Sequence, residues 1–219
     1  MADPKSFFLG NEIADYLVAH GTPPDAVQQK LIAQTRELGP VAGMQVAPEQ
    51  GTFLTVLTRA IGARNAIEIG TFTGYSALCI ARGLSADGRL LCCDVSEEWT
   101  AIGRQAWDAD GVGKLIELRI APALDTIAAL PASEQFDLAF IDADKPNYAN
   151  YLDALAPKMK SNALILVDNV LWHGAVVDDQ ATDDNTVAIK AFNDKLARDD
   201  RFDVVMLPIS DGLTLARKR

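Results

Sequence analysis

The stretch Glu68-Ile69-Gly70-Thr71-Phe72-Thr73-Gly74-Tyr75-Ser76 constrains this chain more than any other. It follows a short apolar run and opens a helical pattern, so the backbone must leave a strand, turn on two glycines and enter a helix. Glycine lets main chain approach a ligand closely, and the first N–H groups of the helix face whatever is held there. By position this is a cradle for a small molecule.

The residues after the turn supply the sheet it stands on. From Asn65 onward short apolar runs alternate with helical patterns, the mark of βα units feeding a parallel sheet. Strands are expected at 66–69, 90–94, 116–120, 138–142 and 164–168. Helices are expected at 75–84, 96–110, 123–130 and 148–159, with Ser96 as the N-cap of the second and Glu97 and Glu98 in its first turn. The end of the chain differs: a helix at 186–198, a strand at 202–207, a tight Ser210-Asp211-Gly212 turn and a strand at 213–216. Asp-Gly between two strand-like runs signals a hairpin, so the last strand runs antiparallel to its predecessor. The reading is α/β: a Rossmann-like doubly wound sheet of seven strands, mostly parallel with the last reversed, and helices on both faces. Such sheets bind ligands at the carboxyl ends of their strands.

Ahead of this core, 12–19 and 24–38 carry helix-period apolar residues, among them Ile13, Leu17, Val27 and Leu31, separated by Gly21-Thr22-Pro23. Gly39-Pro40 breaks the pattern, 41–47 reads as loop, and Pro48 opens another helix carrying Phe53, Leu54, Leu57 and Ile61. A length of 219 residues with 49% hydrophobic content suits one domain, with front helices and loop at 1–47 and the core at 48–219.

Charge narrows the function. Thirty acidic residues against twenty basic ones leave a net charge of −10, which repels a phosphate backbone and argues against nucleic-acid binding. No apolar run approaches the roughly 18–20 residues that cross a bilayer, and the start lacks a basic region followed by a signal-peptide core, so a cytoplasmic protein without a membrane partner is expected. Cys79, Cys92 and Cys93 are odd in number and show no C-x-x-C spacing, which suggests small buried hydrophobes over a disulfide framework or zinc site.

Two groups of polar residues carry the chemistry. Glu68 at the first strand end and Asp94 closing the second suit carboxylates that accept hydrogen bonds from ribose hydroxyls. Phe72 holds the place where a dinucleotide fingerprint needs its middle glycine, so nicotinamide or flavin binding loses ground to adenosine. Further on, Asp142-Ala143-Asp144-Lys145 ends the fourth strand and Asp168-Asn169 the fifth, bringing oxygen ligands to one sheet edge. Asp142, Asp168 and the Asn169 amide oxygen are hard ligands that suit Mg²⁺, Mn²⁺ or Ca²⁺. Adjacent strand residues point to opposite faces, so Asp168 and Asn169 reach one ion only if the strand has already turned out of the sheet. Alternatives stand beside this: Asp142 and Asp168 as helix caps, and Asp144 with Lys145 as a surface ion pair.

At these residues the chain resembles the small, metal-dependent class I S-adenosylmethionine O-methyltransferases, that is, the caffeoyl-CoA and catechol O-methyltransferases and their bacterial relatives. The resemblance runs from about Met44 to the C-terminus. It rests on three blocks in order: Glu68 through Ser76, Asp142-Ala143-Asp144-Lys145 with Asn147-Tyr148, and Asp168-Asn169-Val170-Leu171-Trp172. It implies that Glu68, Gly70, Thr71, Phe72, Ser76 and Asp94, with Val46, Ala123 and Asp142, hold the methyl donor. It implies a divalent metal, usually Mg²⁺, on Asp142, Asp168 and Asn169, makes Lys145 the candidate base beside Asp142, and implies a homodimer. His173 departs from the plant members, which carry Asn there.

The expected reaction moves a methyl group from S-adenosylmethionine to one oxygen of a vicinal aromatic diol by in-line displacement. A phenol titrates near pH 10, and chelation lowers that value while fixing the attacking oxygen. Trp172, His173 and Asp211 are candidates to line the acceptor pocket, with core packing, a surface position and a routine Asp-Gly turn as their respective alternatives. Asp178, Asp179, Asp183 and Asp184 read as a solvated loop or a lid. A CoA ester would bring phosphates that want Lys or Arg. Before Met44 there are only Lys5, Lys30 and Arg36, which tilts the acceptor toward a smaller catechol. The competing readings are an NAD-dependent oxidoreductase of similar architecture and a non-catalytic binding protein on the same fold.

Overall fold

The computed structural model describes residues 9–219. Three helices lead, α1 (Asn11–His20), α2 (Ala26–Arg36) and α3 (Pro48–Ala60), followed by alternating units: β1 (Asn65–Ile69), α4 (Tyr75–Gly83), β2 (Arg89–Asp94), α5 (Glu97–Asp110), β3 (Ile116–Ile120), α6 (Ala123–Ala129), β4 (Phe136–Ile141), α7 (Tyr148–Leu155) and β5 (Met159–Asp168). The chain closes with α8 (Asp184–Ala197), β6 (Phe202–Leu207) and β7 (Leu213–Lys218). One seven-stranded sheet results, in the order β3-β2-β1-β4-β5-β7-β6. Neighbours from β3 to β5 pair in parallel, while β7 runs antiparallel to both β5 and β6.

Period-two alternation along the central strands divides the interior in two. Ile67, Ile69, Leu91, Cys93, Ala139, Ile141, Ile165 and Val167 point to one face, against Ile127 of α6, Tyr148 and Leu152 of α7, and Phe192 of α8. Ala66, Leu90, Cys92, Leu138, Phe140 and Leu166 point to the other, against Leu31 of α2, Leu54 of α3, Tyr75 and Leu78 of α4, and Trp107 of α5. Burial on both faces is why these strands read as near-continuous apolar runs. The three cysteines are free and buried, as small hydrophobes.

The front helices join the second layer by named bonds. Asp25 and Gln28 form a capping box that starts α2. Gln28 Nε2 then donates to the Tyr75 hydroxyl (3.2 Å) and Thr35 Oγ1 to Thr73 Oγ1 (2.8 Å), so α2 braces the glycine turn itself. Ile13 and Leu17, the helix-period apolar residues of α1, are about half exposed.

Three local expectations differ. The helix expected to reach 159 stops at Leu155, and β5 begins at Met159, not 164. Its first half, Lys160-Ser161-Asn162, is exposed and polar, so no apolar alternation announces it. The stretch expected as loop after Gly39-Pro40 winds into a 3₁₀ turn, Gly39–Met44. Leu207 pairs with Leu213, so the last connection spans 208–212 and is wider than a tight Asp-Gly turn. The order of strands reverses between β1 and β4, and there the carboxyl ends of neighbouring strands open a crevice.

Candidate functional site

The turn after β1 sits in that crevice. Gly70 and Gly74 adopt φ of 85° and 77°. At Gly70 glycine is obligatory, because a Cβ there would collide with the main-chain carbonyl of Asp142, which follows β4. Asp142 N–H in turn donates to Ile69 O (2.9 Å), so the first and fourth loops touch through backbone. Asp94 fastens the turn from the β2 side: one carboxylate oxygen accepts from Thr71 N–H (2.9 Å) and Phe72 N–H (2.8 Å), the other from Ser96 N–H (2.7 Å). Trp107 Nε1 donates to Gly74 O (2.9 Å), and Trp99 meets Phe72 edge-on at 5.1 Å between ring centroids.

Glu68 lies beneath the turn with no solvent exposure. Cys92 Sγ is 3.5 Å from its Oε2, while Oε1 and the nearby Thr71 hydroxyl have no hydrogen-bond partner. Burial pushes the carboxyl up to about 7; Ser76, Thr71 and Cys92 oppose that rise and the Asp142 charge adds to it. A desolvated acid with an unanswered oxygen in a crevice is the mark of a site that receives a polar ligand. Ser76 and Val46 are buried on the same side of the sheet. Ala123 stands at the start of α6, across the sheet in the other core.

Beyond β4 and β5 the side chains converge on one ammonium. Lys145 is 8% exposed, and its Nζ donates to Asp142 Oδ1 (3.1 Å), Asn169 Oδ1 (2.8 Å) and the Tyr148 hydroxyl (2.6 Å). Tyr148 passes the bond on to Asp168 O (3.0 Å). Asn169 has φ of 57°, so β5 has left the sheet at that residue, the turn that the adjacent ligand pair demands. The Asp168 carboxylate is buried and accepts from Asn169 N–H (2.8 Å). Burial first, and the Asp142 charge second, push it up to about 7, against Gln50, the Asn169 N–H and Lys145. Neither Asp142 nor Asp168 caps a helix with its side chain, and Asp144 bonds Asn147 and Tyr151 in place of Lys145.

These residues fit a hard divalent cation by the chemistry of their atoms: two carboxylates and an amide oxygen, with the negative charge of one buried acid answered only in part. Among the described residues no three His, Cys, Asp or Glu side chains cluster as a ready-made cage.

The loop after β5 is built under strain. Trp172, His173 and Gly174 take φ of 46°, 51° and 84° in succession. For two non-glycine residues this costs of order 1–3 kcal/mol each. Lys145 Nζ lies 5.6 Å from the centroid of the Trp172 ring. An open hollow of about 560 Å³ continues outward, lined by Trp172, His173, Gly174, Ala175, Asp178, Asp183 and Thr186. His173 is on its rim, whereas Asp211, expected to line the pocket, is 3% exposed and points into the loop. Its Oδ1 accepts from His173 N–H at 2.7 Å.

Two residues escaped the sequence reading. Gln50 is fully buried near Asp168, and neither end of its amide has a hydrogen-bond partner. The available signal was a glutamine on the same helical stripe as Leu54. Tyr148 was noted within a motif, but its role as the hydroxyl that holds Lys145 follows only from their spacing of three residues along the chain.

Comparisons with known proteins bear on this arrangement. The family model described as O-methyltransferase matches residues 22–219. The chain is 37% identical over 212 residues to a Dictyostelium discoideum protein named "Probable caffeoyl-CoA O-methyltransferase 1", covering 95% of this chain and 92% of that one. Among solved structures it is similar to the O-methyltransferase from Bacillus cereus in complex with SAH (TM-score 0.87, 30% identity, 95% and 97% of the two chains). It is also similar to the O-methyltransferase TomG from Streptomyces achromogenes in complex with SAM (TM-score 0.87, 28% identity, 100% and 99%).

Proposed function

This chain belongs to the O-methyltransferase family, and from that premise we propose that it transfers the methyl group of S-adenosylmethionine to one hydroxyl of a vicinal aromatic diol, with a divalent cation held by Asp142, Asp168 and Asn169. The observation that carries the reading is the meeting of Asp142, Asn169 and Lys145 directly beside the glycine turn. Similarity to structures in complex with SAM and SAH supports the donor. The same membership gives the nicotinamide alternative no support.

When bound, the donor would supply an electrophilic methyl carbon and the cation, Mg²⁺ by the hardness of its ligands, would acidify a chelated phenol. The chain's own residues do the rest. Glu68, Gly70, Thr71, Phe72, Ser76 and Asp94 form the donor cradle, with Val46 and Ala123 at its borders. Asp142 belongs to both halves, through its main chain at Gly70 and its carboxylate at Lys145. Lys145 donates to three acceptors, the bonding of an ammonium, and so places positive charge where the phenol oxygen loses its proton. The phenol proton then passes to solvent, or to Lys145 once that ammonium has released one of its own to solvent. Trp172 walls the acceptor ring and excludes water, which leaves donor carbon and acceptor oxygen aligned.

The acceptor side favours a small catechol. Asp178 and Asp183 line the hollow, and of the basic residues expected near the front, Lys30 and Arg36 are described while Lys5 lies outside the described residues. A homodimer and a cytoplasmic location complete the proposal. Among the described residues no helix is long and apolar enough to cross a membrane. The test is methyl transfer from labelled S-adenosylmethionine to simple catechols, free caffeate and caffeoyl-CoA, with and without EDTA. Expected is transfer to a catechol that EDTA abolishes and Mg²⁺ restores; undiminished turnover in EDTA would sink the cation assignment.

A further inference from the structure

The loop that carries Trp172 is held from a second loop, and the bonds between them run in one direction. Val170 N–H donates to Gly212 O (3.2 Å), Leu171 N–H to Asp211 O (3.1 Å) and His173 N–H to the Asp211 carboxylate (2.7 Å). Gly212, at φ of 85°, packs so tightly that a Cβ there would strike the Leu171 side chain. Three of the four main-chain positions 170–173 therefore donate to the 208–212 connection. The last of them fixes the residue next to Trp172, in the least favoured part of the backbone. Without it the turn across Trp172 and His173 is left to the Gly174 N–H bond to Leu171 O (2.9 Å), and a turn relaxed from positive φ would carry the indole away from Lys145.

We infer that Asp211 is a positioning residue: by accepting the His173 N–H its carboxylate latches the Trp172–His173 turn and so keeps the Trp172 ring beside Lys145 as the wall of the acceptor site. The wall's purpose rests on the methyl-transfer reading above, but the latch itself does not. It reassigns Asp211 from a group that meets the acceptor to one that shapes the site from behind.

The test reads Trp172 and turnover separately. Trp172 emission is isolated by subtracting the spectrum of each protein's Trp172→Phe counterpart. In Asp211→Ala this emission shifts to the red and the KM for a catechol rises about tenfold, the worth of one hydrogen bond to a charged group. kcat falls less, and affinity for S-adenosylhomocysteine by calorimetry stays within about twofold, since the donor turn is remote. Asp211→Asn keeps the accepting oxygen and the volume, so it should behave as the parent. His173→Gly, which tolerates positive φ, should recover most of the KM when added to Asp211→Ala. Parental Trp172 emission and KM in Asp211→Ala would overturn the latch, as would an Asp211→Asn protein impaired as badly as the alanine variant. If the parent methylates no catechol, the functional reading fails, while Trp172 emission still decides the latch.

Discussion

The two halves of the crevice are held in shape by opposite means. On the donor side, after β1 and β2, positive φ is assigned mostly to glycine, and Asp94 spends its carboxylate on three main-chain N–H groups. After β4, β5 and β6, positive φ falls on Asn169, Trp172, His173 and Ser210 as well as on Gly174 and Gly212, and beside the main-chain bonds of the 170–173 loop the bonds that gather on Lys145 run between side chains. Strain held by neighbouring loops is the cost of presenting side chains at an angle a regular strand forbids.

The sharpest break of this contrast is truncation on each side. Asp142→Ala should lower kcat/KM for a catechol by at least about a thousandfold, several kcal/mol of barrier, while denaturant unfolding stays cooperative. A normal rate would show that the cation half does no chemistry. Gly70→Ala should do the reverse and cost about 3 kcal/mol or more of stability, because its new methyl group meets a carbonyl that cannot swing aside; urea titration measures it.

Glu68 sharpens the comparison through pH. Burial pushes its carboxyl from the ordinary 4.5 up to about 7, so between those limits the folded state holds a proton that the unfolded state has lost. Stability from this group is therefore intact below about 4.5 and is lost as pH rises to about 7, by about 3 kcal/mol. Glu68→Gln should shrink that fall in unfolding free energy measured across pH 5 to 8, leaving the part that Asp168 contributes over the same window. A fall of unchanged size would mean that Glu68 is ionised in the fold.

The smallest effect concerns Gln50. Gln50→Met removes an unpartnered buried amide, so stability should rise by about 1 kcal/mol while Mn²⁺ affinity, read by electron paramagnetic resonance, drops about tenfold. Unchanged affinity would remove Gln50 from the cation half.

How much of this was legible in the sequence follows the same division. Glycines, strand-end acids and apolar alternation are local signals, so the turn at Gly70, the seven strands and the reversed last strand could be read directly. The first half of β5 could not, since Lys160, Ser161 and Asn162 carry no alternation, and neither could the amide that Asp211 accepts, 38 residues away, or the nearness of Gln50 to Asp168, which belongs to another element. An Asp-Gly pair announces a turn, yet says nothing of which distant amide the Asp211 carboxylate meets.

The absence of a side chain at Gly70 has a mechanical consequence. With a hydrogen atom in place of a methyl group there, the loops after β1 and β4 abut like two stones of one arch, and neither can shift by a few tenths of an ångström alone. Whatever steadies one loop steadies the other; on the reading proposed above, linkage would then require donor and cation to change each other's affinity by the same factor.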